Sequence, residues 1–479
     1  MPMMTTAEAA RAMRGRVIGE EVMFSRVVSD TRRVAAGDLF FALRGARFDG
    51  HDFVAGALEE GAVAAVVANE RAPSLHGNLI AVDEPLAALG ALAAAWRRRF
   101  AIPVVAVAGS NGKTTTKEMI ASVFRAGTGD ATVVASPGNF NNAIGLPLSV
   151  LALRATHRLA VFEIGMNHRG ETRELAAIAQ PTIAVICNAQ REHQEFMRSV
   201  DEVAAEHADL VRALPPGGQA VLNADDPGVG LWREVARDAG AKTIDFGLDR
   251  RAMVSGRFET DAGGSRIELA TPAGAAAVRL SVAGRPMVMN ALAAAATGIA
   301  AGVSIASIVR GLEAFRPVAG RLAPRAGIRG STIIDDSYNA NPDSMRAAID
   351  VLAARGGERW LAIGDMGETG SEGAAFHREA GAQARAAGID RLDACGVLAA
   401  EAVAAFGSGA VHHASAHALA DALHTALLRA GRPQAVTVLV KGSRFMKMEE
   451  VVAALCGGGS VDAGGAAHAN AVDARGGGH

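Results

Sequence analysis

Short apolar runs alternate with helical stretches along most of this chain, and that pattern leaves little choice besides parallel sheets built from βαβ units. Runs at 62–68, 79–82, 102–108, 159–164, 183–188, 219–223 and 242–246 read as strands, and so do 332–335, 360–363 and 436–440. At 251–283 the period changes to alternation split by Gly-rich turns, which predicts a β-hairpin insertion. Helices are expected at 287–301 and 304–314, and between the strands that follow. A chain of 479 residues suggests three domains. The expected fold class is α/β. Residues 1–100 form a small α/β domain, 101–316 a central parallel sheet of the P-loop mononucleotide-binding type, and 317–456 a Rossmann-like domain. The low-complexity tail at 457–479, with His468 and His479, is expected to be disordered.

Several functions are disfavoured at once. A formal charge of −2 offers no basic face for nucleic acid. Cys187, Cys395 and Cys456 are far apart and form no C-x-x-C pair, which fits a reduced, cytoplasmic protein without structural zinc. No apolar h-region is read in 1–16, so no signal peptide is expected. The uncharged stretch 286–309 is mostly Ala and Gly, carries Asn290 and breaks at Gly302-Val303-Ser304. Two packed helices, not a membrane span, are expected there. The run Arg97-Arg98-Arg99 reads as cations at a helix C-terminus.

The sharpest chemical signal is the segment 104–116. A buried strand enters the turn Gly109-Ser110-Asn111-Gly112, and a helix opens with Lys113-Thr114-Thr115. Glycines let backbone N–H groups converge on phosphate oxygens, and the helix N-terminus adds partial positive charge. Lys113 can reach the β- and γ-phosphates, and the Thr114 hydroxyl can hold Mg²⁺. The loop is shorter than the full G-x-x-x-x-G-K-[ST] pattern, whose first Gly position is Val107 here. By itself it indicates a nucleoside triphosphate and no particular reaction.

Glu163 lies near the C-terminal end of the 159–164 strand, the edge where open α/β sheets bind ligands. It is either a cation ligand or an edge carboxylate with a local partner. His193 follows the next strand end; as an imidazole it is an unusual partner for Mg²⁺ and is either structural or a ligand.

Together these segments resemble the Mur ligase family over nearly the whole chain to about residue 455. The loop resembles the family's ATP-binding loop, and Glu163 and His193 fall on its Mg²⁺-ligand positions. Gly320-Arg321-Leu322 resembles the segment that meets the ATP phosphates. The run Asp335-Asp336-Ser337-Tyr338-Asn339-Ala340-Asn341-Pro342 is similar to the segment at the ATP ribose and incoming amine. Asn290 matches the position near the adenine. The N-terminal Ser29-Asp30-Thr31-Arg32 and Arg47-Phe48-Asp49-Gly50-His51 resemble a UDP-sugar-binding domain. Asn139, Asn141 and Asn142, with Gly364–Glu368 and Lys441-Gly442-Ser443-Arg444, resemble the branch that adds D-alanyl-D-alanine to UDP-N-acetylmuramoyl-tripeptide.

The resemblance implies an ATP- and Mg²⁺-dependent amide ligase that works through an acyl-phosphate in cytoplasmic peptidoglycan precursor synthesis. A monomer is expected. It implies Lys113, Glu163 and His193 as catalytic or metal-holding residues. Ser29, Thr31, Arg32, Arg47, Asn139, Asn141, Asn142, Asn339, Asn341, Lys441 and Arg444 would contact the ligated substrates. In many family members a carbamylated lysine supports a second Mg²⁺. The matching position here is His207, whose imidazole forms no stable carbamate, so that metal is held by water, by His207, or not at all. A second departure is Pro286, where the family usually has histidine. Alternative readings are another amide ligase of this fold, MurE-like or folylpolyglutamate synthase-like, or a P-loop switch NTPase.

Overall fold

The computed structural model describes residues 2–261 and 263–457. The sequence-based expectation for the tail, with His468 and His479, lies outside the described residues. Three mixed sheets follow one another along the chain, each combining parallel pairs with one or more antiparallel ones.

The first sheet uses Arg16–Ile18 (β2), Arg26–Val28 (β4), Asp38–Phe41 (β5), Ala64–Ala68 (β6) and Leu79–Val82 (β7), in the order β2-β7-β6-β5-β4. Beside it Met4–Thr5 (β1) pairs antiparallel with Met23–Phe24 (β3). The central sheet has nine strands: Val104–Ala108 (β8), Val133–Ala135 (β9), Leu159–Glu163 (β10), Ile183–Ile186 (β11), Gln219–Asn223 (β12), Lys242–Gly247 (β13), Val254–Asp261 (β14), Gly264–Thr271 (β15) and Gly274–Leu280 (β16). Its order is β16-β15-β14-β13-β12-β11-β8-β10-β9. The third sheet contains Ala323–Ala326 (β17), Thr332–Asp336 (β18), Glu358–Ile363 (β19), Arg391–Cys395 (β20), Ala410–His413 (β21) and Val436–Lys441 (β22), in the order β17-β18-β22-β19-β20-β21.

The order around β8 positions the site. Its neighbours β10 and β11 lie on opposite sides, and all three run parallel. The chain therefore leaves β8 towards both halves of the sheet, which opens a crevice at the carboxyl ends of these strands. The phosphate-loop candidate, Glu163 and the segment leading to His193 all emerge there.

Ala and Gly abundance finds its use in helix packing. Helix Lys113–Thr128 lies against Arg285–Ala300 and Ile305–Ala314. A Cβ on Gly311 would stand 2.4 Å from Val123 Cα, so any side chain there would force the helices apart. The apolar stretch 286–309 is thus two packed helices. No helix among the described residues is long and apolar enough to cross a membrane.

Two expectations need correction. The hairpin insertion is a three-stranded meander that extends the central sheet: β14 pairs parallel with β13 at Phe246↔Val254 before the antiparallel β14–β15–β16 ladders. The region between 364 and 435 contains β20 and β21 as well as helices. Arg97 stands in the last turn of its helix, as expected, and is buried. Its guanidinium donates to the carbonyls of Ala179 (3.1 Å), Phe100 (2.6 Å) and Gln180 (3.1 Å), so it ties the helix Pro85–Arg97 to the central sheet's flank.

The three thiols are free, with Cys187 and Cys395 buried and Cys456 partly exposed. Burial pushes both the Cys187 and Cys395 thiols up to about 11, leaving almost no thiolate at neutral pH. Brief iodoacetamide treatment at pH 7.5 is therefore expected to alkylate Cys456 first. Peptide mapping that found Cys187 modified first would contradict this burial.

Candidate active site

Everything the crevice presents starts from the turn after β8. Gly112 has φ +83°, and a Cβ on it would approach Asn290 Oδ1 to 2.4 Å, so only glycine lets the loop close against the helix Arg285–Ala300. The loop is held from the β11 side. Asn111 N donates to Asn188 Oδ1 (2.8 Å), and Ser110 Oγ accepts from Gln190 N (2.9 Å). Lys113 Nζ donates to Gly109 O (2.5 Å) and Ser110 O (3.2 Å). Thr114 and Thr115 are buried, and Asn290 Oδ1 accepts from Thr116 Oγ1 (3.2 Å).

A cavity of about 1300 Å³ opens at this loop and is lined from all three sheets. It brings together Arg47, Asn139, Asn141, Asn142, Lys113, Thr115, Glu163, His193, Asn290, Arg321, Asp336, Asn339, Asn341, Lys441 and Arg444. Ser29, Thr31 and Arg32 do not line it. Arg32 is exposed and paired with Asp30 (2.7 Å) at the end of the first sheet. Asn142 is partly committed elsewhere, because its Oδ1 accepts from Ile144 N (3.1 Å) and Gly145 N (2.8 Å) just before the helix Gly145–Leu151. Arg444 pairs with Glu449 (2.6 Å).

The third sheet reaches directly into the loop. Arg321 stacks over the Tyr338 ring at 3.9 Å, and its Nη2 donates to Thr114 Oγ1 (3.2 Å). Asn341 caps the helix Pro342–Ala353 and exchanges two amide hydrogen bonds with Asn111, at 3.0 and 3.2 Å. Asp336 Oδ2 and Lys441 Nζ form a buried pair at 2.7 Å, and Lys441 also donates to Asn339 O (2.9 Å).

Glu163 ends β10 almost fully buried. Its Oε1 accepts from Asn141 Nδ2 (2.8 Å), while Oε2 is buried without a hydrogen-bond partner. A hard, unsatisfied carboxylate oxygen facing the loop fits Mg²⁺. His193 has φ +49°, and its Nδ1 lies 2.5 Å from Glu368 Oε2. Burial pushes the imidazole pKa down, but Glu368 and Glu192 outweigh it and hold His193 above its ordinary value. Only the neutral imidazole can hold a metal. Among the described residues no three His, Cys, Asp or Glu side chains are grouped closely enough to hold an ion unaided. A bound Mg²⁺ would take the rest of its shell from Thr114, phosphate oxygens and water.

Sequence reasoning passed over Glu192, Lys117 and Arg191. Glu192 is buried between Lys113 Nζ (3.6 Å), His193 Nε2 (3.7 Å) and His207 Nε2 (3.4 Å). Burial pushes its carboxyl up, yet Lys113 and the two imidazoles hold it well below the usual carboxylate range. Lys117 is fully buried, and its Nζ donates to Ser136 O (2.6 Å) and Gly138 O (2.9 Å), pinning the loop that carries Asn139 to Asn142. The spacing of Lys117, Ile120, Ala121 and Phe124 puts it on the helix's apolar stripe, which could have revealed it.

Arg191 spans from the β11 side to the third sheet's helices, meeting Asp343 (2.8 Å) and Glu379 (2.8 Å) and stacking over Phe376. Hydrogen bonds to charged groups contribute roughly 1.5–3 kcal/mol each. Arg191→Ala should therefore loosen the approach of the third sheet and raise the apparent KM for the amine substrate about tenfold. Small-angle scattering should show a larger radius of gyration. An unchanged radius and KM would mean that the bridge does not hold the third sheet's helices to the β11 side.

Three family descriptions match successive segments: "Mur ligase family, catalytic domain" at 24–97, "Mur ligase middle domain" at 107–298, and "Mur ligase, glutamate ligase domain" at 320–444. The UDP-N-acetylmuramoyl-tripeptide–D-alanyl-D-alanine ligase of Escherichia coli is 36% identical, with 94% of this chain and 98% of that protein covered. The Bacillus subtilis ligase of the same name is 34% identical over 90% and 93%. Among solved structures, MurF from Acinetobacter baumannii superimposes with a TM-score of 0.88 at 33% identity, covering 95% of this chain and 99% of that one. MurF from Thermotoga maritima in complex with ADP gives 0.77 at 27%, covering 89% and 96%. Likeness that runs nearly end to end, through all three segments and at this identity, has one meaning: the chain belongs to the Mur ligase family.

Proposed function

We propose that this protein joins D-alanyl-D-alanine to UDP-N-acetylmuramoyl-tripeptide, releasing ADP and phosphate, as the last cytoplasmic step of peptidoglycan precursor assembly. The observation that carries the reading is the crevice itself. A phosphate loop, an unsatisfied buried carboxylate and an arginine from the third sheet meet in one cavity that all three sheets border.

A carboxylate does not react with an amine at neutral pH, because the leaving group is poor. Phosphorylation supplies a better one. In this reading the tripeptide carboxylate attacks the ATP γ-phosphate in line, and the acyl-phosphate then receives the dipeptide amine. The loop's N–H groups and Lys113 would bind the phosphates, and Arg321 would approach them from the opposite side. Thr114 and Glu163, with His193 once deprotonated, would hold Mg²⁺, which spreads the charge of the transferring group. Asn290 would meet the adenine and Asp336 the ribose. Arg47, with Ser29, Thr31 and Arg32, would contact the uridine nucleotide. Asn339, Asn341, Lys441 and Arg444 would orient the dipeptide. Residues 1–100 would thus serve the uridine substrate, 101–316 the ATP, and 317–456 the amine. All these side chains belong to one chain, so a monomer suffices.

The test is phosphate release with purified UDP-N-acetylmuramoyl-tripeptide, with and without D-alanyl-D-alanine. Release should need both, and ¹⁸O placed in the tripeptide carboxylate should appear in the phosphate. Fast release with neither substrate would favour a switch NTPase instead.

A further inference from the structure

We propose that Glu192 is a second carboxylate ligand for the divalent cation that accompanies the nucleotide, and that His207 is the positioning residue behind it. This rests on the ligase reading above.

Glu192 belongs to the stretch after β11 that braces the phosphate loop through Asn188 and Gln190. It is only 6% exposed, yet it lines the crevice together with Lys113, Glu163 and His193. A buried carboxylate with a purely structural role is normally hydrogen-bonded. Glu192 Oε1 has no hydrogen-bond partner. The Lys113 ammonium, 3.6 Å from Oε2, gives two of its three donors to Gly109 O and Ser110 O. The carboxylate therefore faces three nitrogens, of Lys113, His193 and His207, at 3.4–3.7 Å, in the crevice that the phosphate loop borders. If Lys113 turns to a bound γ-phosphate, Glu192 keeps only the imidazoles of His193 and His207 beside it, and a further positive partner offsets its buried charge. A hard divalent cation supplies it and accepts a carboxylate oxygen.

His207 completes the arrangement from behind. It is 1% exposed on the helix Val200–Arg212 and does not line the cavity. Its Nε2 is 3.4 Å from Glu192 Oε1, and neither ring nitrogen has a directed hydrogen bond. A small rotation would let the ring donate to Glu192 and fix its orientation. The ionic ligand is then built into the chain, so no carbamate is required.

The experiment is Mn²⁺ titration followed by electron paramagnetic resonance on the full chain, with a non-hydrolysable ATP analogue bound. Glu192→Gln should weaken Mn²⁺ binding about tenfold and raise the Mg²⁺ concentration for half-maximal rate by a similar factor. Analogue binding without metal should not fall. Glu192→Asp, which keeps an oxygen ligand, should recover part of the affinity and serves if the Gln variant folds poorly. His207→Asn should give a smaller loss, about threefold. Mass spectrometry should find no added CO₂, and bicarbonate removal should leave the rate unchanged. Mn²⁺ affinity within twofold of wild type in both Glu192 variants would overturn the proposal. Wild-type protein that binds Mn²⁺ and analogue but never ligates would instead refute the ligase reading alone.

Discussion

Lys113→Ala is expected to lower ATP-dependent ligation by about a thousandfold or more, while binding of the uridine nucleotide substrate survives. The size follows from where the charge sits. Losing a single preorganised donor at a developing charge costs roughly 10²–10³ in kcat, and Lys113 carries a full charge at the mouth of a buried loop. The loss should appear in kcat and not only in KM for ATP, because the loop's backbone N–H groups still bind the phosphates. The uridine substrate should be spared because the first sheet, with Arg47 at the cavity rim, does not touch Lys113. The measurement is coupled phosphate release beside calorimetric titration of the uridine substrate. Ligation within tenfold of wild type would remove Lys113 from the mechanism.

How much of this was legible in the sequence depends on what each residue type reveals. The parallel strands were legible because strands buried on both faces are continuous apolar runs; 104–108, 183–186 and 219–222 contain almost nothing else. β20 and β21 were not, because their sequences Arg-Leu-Asp-Ala-Cys and Ala-Val-His-His look like surface. Their polarity is internally paired: fully buried Asp393 accepts from Arg391 (2.5 Å) and from His413 (2.8 Å), a partnership no linear pattern displays. The phosphate loop was legible since its strand, glycines and Lys-Thr are contiguous. Glu192 sits in an irregular segment, and only burial distinguishes it from any exposed glutamate. The same holds for Arg191, whose acidic partners lie 152 and 188 residues further on.

The buried pair between Asp336 and Lys441 carries the largest stability effect expected here. The two residues are register partners at the ends of the adjacent parallel strands β18 and β22, so the sheet itself sets their approach. Burial pushes the Asp336 carboxyl above its ordinary value even though Lys441 and Arg321 pull it down. Lys441→Ala removes the larger of those pulls and leaves a buried carboxylate without its lysine. Breaking a buried pair from one side costs about 3–5 kcal/mol. The sign of the pH dependence follows. A carboxyl whose pKa is raised by folding binds its proton more tightly in the folded form. The folded state therefore gains stability as pH falls through that raised value and loses it as pH rises. The variant should accordingly be least stable at alkaline pH and recover part of its loss as pH falls and Asp336 takes up its proton. The double variant Asp336→Asn, Lys441→Met should regain most of the loss at every pH, because no charge is then left buried. Hydrogen exchange read on 332–336 and 436–441 reports this sheet separately from the other two. A loss below about 1 kcal/mol at pH 8, or one that does not change with pH, would mean that water reaches Asp336 and that the pair serves substrate binding without holding the strands together.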